Sequence, residues 1–418
     1  MMNRIDELIE RLCPDGVEYK RIDEVCVLVS DGSHYSPRGV SSGYPMLSVK
    51  DMRRTGFDYS SCKMVSKQDF DRLEAEGSVP ENNDVLVAKD GSMLKYAFVF
   101  RDNCRCAILS SIAILRPNNH YVLPDYLAHY FQKDTFREAV VAKHSSKGGV
   151  PRIILKKFKQ LSIPIPPKEV QQEIVRVLDS FAELEAELEA ELEARQSQFD
   201  YYRDSLFSEE SLSCKWQVLG DVLTDLRTGL NPRKNFQLNT PDAENYYVTV
   251  RELAGNRVSF SDKTDRVNDD ALALIDNRAH LKKGDLLFSA TGTVGRTAYL
   301  EEKPSNWGIK EGVYALTVDT NAVLPKFLLY FFHTSEATSW FAAAAEGGTV
   351  VSVSMAKMRN LPIPVPSIEE QQRVIEILDK FDALTNGIAE GLPAEIEARR
   401  KQNAYYRDKL LSFKEKVA

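Results

Sequence analysis

The side chains best able to hold a metal or make and break bonds are dispersed along this chain. The six histidines (His34, His120, His129, His144, His280 and His333) fall singly, with no H-E-x-x-H and no triad-like grouping. The six cysteines (Cys13, Cys26, Cys62, Cys104, Cys106 and Cys214) show neither zinc spacing nor a secreted disulfide framework and read as reduced thiols. Asn231-Pro232-Arg233-Lys234 has two positions of the Asn/Asp-Pro-Pro-aromatic pattern, but lacks the second proline and the aromatic that would hold a flipped base. Thr291-Gly292-Thr293-Val294-Gly295-Arg296 lacks the Lys-Ser/Thr of a phosphate loop and reads as a β-turn. These residues point to no catalytic group, no metal and no cofactor. They leave contact chemistry: donors and cations in turn-rich loops, suited to phosphates and base edges. In the first half these are Ser33, His34, Tyr35 and Arg38, then Lys50 and Arg53, then Lys143, His144 and Lys147. In the second half Arg227, Asn231, Arg233 and Lys234 stand where the first loop stood, Arg251 parallels Lys50, and Thr291, Thr293 and Arg296 sit at the Gly turn.

Short strands must carry those loops. Val25–Val29, Pro45–Val49, Val85–Ala88, Ala97–Phe100 and Ala107–Leu115 are apolar and β-branched runs between Gly, Ser, Asn and Asp turns. Tyr126–Val141 reads as one helix begun after Pro124-Asp125. Residues 215–360 copy this plan: Val49-Lys50-Asp51 answers to Val250-Arg251-Glu252, Asp84-Val85-Leu86 to Asp285-Leu286-Leu287, and Val122-Leu123-Pro124 to Val323-Leu324-Pro325. A shared scaffold with different loops suits two related sites with different targets.

The repetition is strongest after each globular part. Leu161, Ile163, Pro164, Pro166, Glu169, Gln171, Gln172, Leu178, Asp179 and Phe181 recur in order 200 residues later, and Tyr201-Tyr202-Arg203-Asp204 returns as Tyr405-Tyr406-Arg407-Asp408. Each Ile-Pro-x-Pro is an extended stop before a helix. Ile174, Val177, Leu178, Phe181, Leu184, Leu188 and Leu192 form a helical stripe, and the first helix is expected over about Lys168–Phe207. Val374, Ile377, Leu378, Phe381, Leu384 and Ile388 form the second, kinked by Gly387, Gly391 and Pro393. The two stripes are expected to bury against each other, with the globular parts at opposite ends. The doubled tyrosines at the helix ends, and His129 and His333 within helices, read as packing residues. Ala182-Glu183-Leu184-Glu185 recurs as Ala186–Glu189 and Ala190–Glu193. Four helical residues add about 6 Å and about 40°, and one base pair about 3.4 Å and roughly 35°, so a tetrapeptide is a unit of length for stepping along a duplex.

At 418 residues the chain suits two or three domains. No apolar run approaches the roughly 18 residues of a membrane span, and Ile5–Leu12 reads as amphipathic rather than as a signal peptide. The net charge of −7 argues against nucleic acid only until its distribution is seen: residues 161–210 carry −9, residues 21–160 carry +5, and residues 211–360 are neutral. The globular parts are therefore free to meet phosphates.

The paired Ile-Pro-x-Pro…Leu-Asp-x-Phe segments, the two Tyr-Tyr-Arg-Asp ends and the opening Ile5–Val17 together resemble the specificity subunit of a type I restriction–modification system. The tandem tetrapeptides resemble the subgroup in which copy number sets the spacer of the DNA site. The resemblance covers nearly all of the chain. It implies an α+β fold: two similar mixed α/β target-recognition domains separated by a pair of long antiparallel, coiled-coil-like helices, with a pseudo-two-fold internal repeat. The expected boundaries are an N-terminal helical segment 1–16, target-recognition domains 17–160 and 211–360, and helical spacers 161–210 and 361–418. The chain would then be a non-catalytic, cytoplasmic, sequence-reading subunit without its own cofactor. Its partners would be double-stranded DNA, two modification (methyltransferase) subunits and ATP-dependent restriction subunits, with no membrane. The rival reading is a protein–protein adaptor, which would lack the steep salt dependence of duplex binding. A fused methyltransferase would instead bind S-adenosylmethionine alone.

Overall fold

Val85–Ala88 and Leu286–Ser289 are buried at all four positions, as a strand covered on both faces requires. Each is an inner strand of a four-stranded antiparallel sheet in a computed structural model that describes residues 2–144, 152–208, 210–212, 214–232, 235–348, 350–386 and 391–416. The chain divides into two compact units, residues 1–188 with 396–418, and residues 189–395.

The first unit runs α1 (Met2–Leu12), β1 (Tyr19–Arg21), α2 (Ile22–Val25), β2 (Cys26–Asp31), β3 (Tyr44–Leu47), a 3₁₀ turn (Val49–Asp51), β4 (Lys63–Val65), α3 (Lys67–Ala75), β5 (Val85–Ala88), β6 (Ala97–Val99), β7 (Ala107–Ile108), β8 (Ile112–Pro117), α4 (Pro124–Phe131), α5 (Asp134–His144), α6 (Leu155–Lys159), β9 (Ser162–Pro164) and the start of α7 (Lys168–Leu206). Its main sheet has the order β2-β8-β5-β6, its smaller sheet β4-β3-β7, and β1 pairs with β9. One face of the main sheet, with Val85, Val87 and Leu115, packs on Tyr126, Leu127 and Phe131 of α4 and on Val170, Ile174 and Leu178 of α7. The other face, with Leu86, Ala88, Phe98 and Ile114, packs on Leu47, Met52 and Ile108. Burial on both faces is what the unbroken apolar runs of β5 and β8 demanded.

The second unit repeats the order with β10 (Lys215–Val218), α8 (Leu219–Val222), β11 (Leu223–Thr228), β12 (Asn245–Val248), a 3₁₀ turn (Val250–Glu252), β13 (Leu253–Ala254), β14 (Arg257–Val258), β15 (Arg266–Val267), α9 (Asp269–Ala279), β16 (Leu286–Ser289), β17 (Thr297–Tyr299), β18 (Trp307–Ile309), β19 (Val313–Val318), α10 (Pro325–Phe331), α11 (Ser335–Ala344), α12 (Met355–Met358), β20 (Pro362–Val365) and α13 (Ile368–Asn386); α14 (Leu392–Leu410) follows, and from Ile396 on it belongs to the first unit. Its sheets, β11-β19-β16-β17, β15-β12-β18 and β10-β20, match the first unit strand for strand, and the β13–β14 hairpin is an addition.

The identities of the repeat now have causes. The Gln171 carboxamide accepts from Leu123 N (2.9 Å) and donates to Tyr121 O and Pro166 O (both 2.8 Å). Gln371 does the same with Leu324 N, Ala322 O and Pro366 O. Each glutamine is fully buried and clamps the extended Pro segment to the turn before a core helix. Asp204 accepts from Ser335 N and its hydroxyl at the start of α11, and Asp408 accepts from Thr135 N and its hydroxyl at the start of α5. Such carboxylates satisfy first-turn N–H groups. The C-terminal copy thus serves the N-terminal domain, where Val17 N also donates to Lys414 O (2.8 Å) and Tyr19 to Phe413 O (3.1 Å).

Four expectations change. Ala107–Leu115 is two strands in different sheets, joined by a turn at Leu109–Ser111. The helix expected over Tyr126–Val141 is two, α4 and α5. The break lies at Gln132, whose amide donates to Ala97 O (2.6 Å), and at Lys133, whose ammonium donates to Leu411 O (3.3 Å) and Ser412 Oγ (2.6 Å). α7 ends one residue before expectation, but the kinked second helix is two separate helices, with Pro393 in the first turn of α14 and Gly387 outside the described residues. The stripe on α7 also turns over: Leu184 is 46% exposed while Glu185 is 2% exposed.

Candidate nucleic-acid interface

In each unit a 3₁₀ turn leaves the small sheet and carries one long cation. The turn is held from inside. The Asp51 carboxylate, 4% exposed, accepts from Ser48 N (2.8 Å) and Ser48 Oγ (3.0 Å). Glu252, also 4% exposed, accepts from Thr249 N (2.8 Å) and Thr249 Oγ1 (2.7 Å). This capping box fixes the backbone and leaves Lys50 and Arg251 exposed at the apex. Arg53 braces the first turn, donating to Lys50 O (2.9 Å), Met52 O (3.0 Å) and Asp58 (2.6 Å). Arg296 braces the second through Val250 O (3.1 Å).

Beside each turn lies the loop after the first sheet strand. It passes so close to its neighbour that only glycine fits. A Cβ on Gly32 would lie 2.2 Å from Ile108 O, and one on Gly229 1.7 Å from Ile309 O. In the first unit Ser33 N donates to Ile108 O (2.9 Å), Ser33 Oγ accepts from Tyr35 N (3.0 Å), and the Tyr35 ring lies under the Arg72 guanidinium at 4.6 Å. Ser33 is buried and serves the loop, while His34, Tyr35 and Arg38 are exposed. The turn at Ser110–Ser111 joins the parts: Ser110 N donates to Ser33 O (3.0 Å), Ser111 Oγ accepts from Val49 N (3.2 Å), and Ser111 O accepts from Lys89 N (2.8 Å). Lys89 is buried there between Asp31 (3.2 Å) and Asp90 (3.5 Å). A β-bridge from Asp90 to Arg152 brings that exposed arginine alongside.

In the second unit Pro232, Arg251, Asp265, Thr291 and Lys310 line one cleft of about 300 Å³. Arg251 pairs with Asp265 at 2.7 Å and keeps 57% of its side-chain surface exposed. Thr291, Thr293 and Arg296 are exposed on the β16–β17 hairpin, where Gly292 and Gly295 take φ of +80° and +99°. The segment is therefore a hairpin turn rather than the start of a helix, which removes the phosphate-loop alternative. Lys310 is a cation that sequence reasoning passed over; it stands alone in a strand-to-strand turn and gave no pattern to find.

Other sequence candidates fall elsewhere. Arg227 is 7% exposed, donating to His280 O (2.6 Å), Asp285 (2.8 Å) and Thr317 Oγ1 (2.6 Å). The proposed external contact of Arg227 is therefore corrected to an internal one. The reason is Asp285, a fully buried carboxylate that needs a cation; its counterpart Asp84 takes Arg116 from the neighbouring strand, at 2.9 and 3.0 Å. Asn231 is half-buried and its carbonyl accepts from the Asn235 amide (2.8 Å). Lys143 is exposed near the end of α5. Lys147, Arg233 and Lys234 lie outside the described residues, as does the side chain of His144. His129 bonds to Asp179 (2.8 Å), and His333 to Thr297 and Asn256 (2.8 and 2.9 Å). Tyr406 stacks on Phe181 and Tyr202 on Phe381, whereas Tyr201 and Tyr405 are 71% and 62% exposed.

Two braced turns of one design, each beside a glycine-tight loop, present exposed cations and hydroxyls in both units. Comparison with known proteins gives the chain a family. The profile of the type I restriction modification DNA specificity domain matches twice, over residues 14–194 and 215–398. The chain belongs to that family. A type I restriction enzyme specificity subunit of Haemophilus influenzae is 31% identical over 417 residues, covering 95% of this chain and 96% of its own. One of Escherichia coli is 35% identical over 281 residues, covering 64% and 67%. Among solved structures, a chain from a study of complex assembly and conformational transition of the type I system covers 95% of this one and 97% of itself (TM-score 0.60, 18% identity). The S subunit of M. genitalium covers 95% and 96% (TM-score 0.50, 14% identity). These two likenesses bear on the fold, and both span the whole duplicated arrangement. Among the described residues no helix is long and apolar enough to cross a membrane.

Proposed function

We propose that this specificity chain reads a bipartite, asymmetric DNA sequence for a type I restriction–modification complex in the cytoplasm, and does no chemistry itself. The observation that carries the reading is the twice-built turn: buried Asp51 and Glu252 hold Lys50 and Arg251 outward in two family-matched domains. Residues 17–160 and 211–360 act as target-recognition domains, 161–210 and 361–418 as helical spacers, and 1–16 as a helix packing with them. Exposed His34, Tyr35, Arg38, Lys50, Arg251, Thr291, Thr293 and Arg296 meet DNA. Arginine and lysine suit guanine edges and phosphates, and hydroxyls suit either. Two modification subunits and restriction subunits assemble on the chain, and methylation of adenine is theirs. The tandem tetrapeptides support assigning this chain to the subgroup whose spacer length follows copy number.

Mapping methylated adenines in the host genome, with and without the gene, tests this directly. A two-part motif of fixed spacing that vanishes with the gene is the expected result. A methylome that does not change, together with no salt-dependent duplex binding by the assembled complex, overturns it.

A further inference from the structure

At the first tetrapeptide the buried face of α7 changes from apolar to charged. The Glu185 carboxylate, 2% exposed, accepts from Arg54 Nη1, from Arg400 Nε at 3.0 Å and from Asn403 Nδ2 at 3.5 Å. Arg54 follows the turn that presents Lys50, while Arg400 and Asn403 lie on α14. Asn403, 1% exposed, accepts in turn from buried Arg407 at 3.1 Å. Burial acts to raise the Glu185 carboxyl, and the bonds from Arg54, Arg400 and Asn403 outweigh it and hold it below the usual range. Among the described residues the second unit shows no such carboxylate cluster at the equivalent place. The internal repeat puts Thr385, Gly255, Gln196 and Phe199 in the places of Glu185, Arg54, Arg400 and Asn403, and Phe199 packs on Tyr330 and Phe381.

Three copies of Ala-Glu-Leu-Glu offer nearly the same surface every four residues, so leucines alone specify a helix register weakly. One buried polar group with matched partners specifies it strongly, because any slip strands a charge. We propose that Glu185 is a positioning residue that locks the register of α7 against α14 and the Lys50 turn, and so sets the origin from which the tract measures half-site separation. The inference rests on the DNA-reading function above. Copies added or removed after Glu185 change the helix beyond the lock and leave the lock itself intact.

The test uses the full chain with its modification subunits and a plasmid library in which the two half-sites stand one base pair closer, at the native separation, or one farther. Wild type methylates one separation. Glu185→Gln is expected to raise the off-length share about tenfold, a loss of about 1.4 kcal/mol of discrimination, with the half-site bases unchanged. Glu187→Gln, at an exposed position of the same tract, behaves as wild type. Arg54→Ala, at a side chain 43% exposed, leaves the α7–α14 bonds in place and is expected to relax spacing in the same direction even if Glu185→Gln fails to assemble. Wild-type spacing preference in Arg54→Ala, or in an assembled Glu185→Gln complex, overturns the lock and leaves DNA reading standing. A wild-type complex with no sequence-dependent methylation removes the reading function itself.

Discussion

Asp84 and Asp285 show how a residue's role follows its surroundings. Both carboxylates are fully buried, and each takes an arginine from a different strand of its sheet, Arg116 on the adjacent β8 or Arg227 on β11, one strand beyond. Removing one partner leaves the other charge buried, so Asp285→Asn is expected to lower unfolding stability by about 3–5 kcal/mol, read by urea denaturation. His333 is a second case. Burial, and next the nearby Arg203, push its imidazole down to about 4. The unfolded chain takes that proton at about 6.5. Between these values the unfolded state binds more protons, so stability falls as pH drops from about 6.5 to about 4 and levels below. Wild type is expected to lose up to about 3 kcal/mol more than His333→Gln over that window, measured by thermal melts at pH 7 and pH 4.5. Lys50 and Arg251 face outward instead. Replacing either by Ala is expected to lower duplex affinity and reduce the slope of log K against log salt by about one.

At the scale of elements, the close pass between β2 and β7, and between β11 and β18, decides where the loops carrying the candidate contacts begin. Gly229→Ala would set a Cβ 1.7 Å from Ile309 O, and is expected to cost about 1–3 kcal/mol through forced backbone shifts. Gly56→Ala, with nothing within 4 Å, is the matched control and is expected to leave the melting temperature near wild type. Strand content was legible because β5 and β16 are unbroken apolar runs. The α4–α5 break was not, because a tertiary anchor at Lys133 interrupts a sequence that is helical on either side. The same limit applied on α7, where Leu184 fits the apolar stripe and Glu185 does not, yet partners distant in sequence reverse their burial.

For the whole molecule, the repeated segments are served across the chain. Asp204 caps α11, 131 residues onward within its own unit, while Asp408 caps α5, 273 residues back in the unit that opens the chain. Deleting Ala186–Glu189 is expected to shorten the preferred half-site spacing by about one base pair, from about 6 Å and about 40° of helix, while both half-sites stay unchanged. Methylome sequencing of the deletion strain reads this directly, and a change in either half-site instead would remove the tract's role as a spacer.

The sequence by itself determined the duplication, the strand-rich domains and the long first helix, since these follow from periodicity and spacing along the chain, and its repeated motifs carried the resemblance to the family. Only the tertiary structure decided which cations face outward. Arg227 and Arg251 look equivalent in a list of basic loop residues, but Asp285 draws one inside and Glu252 turns the other out. Burial of a charge depends on partners that lie 58 residues away in the chain for Arg227 and 131 to 218 residues away for Glu185, distances over which local pattern carries no signal.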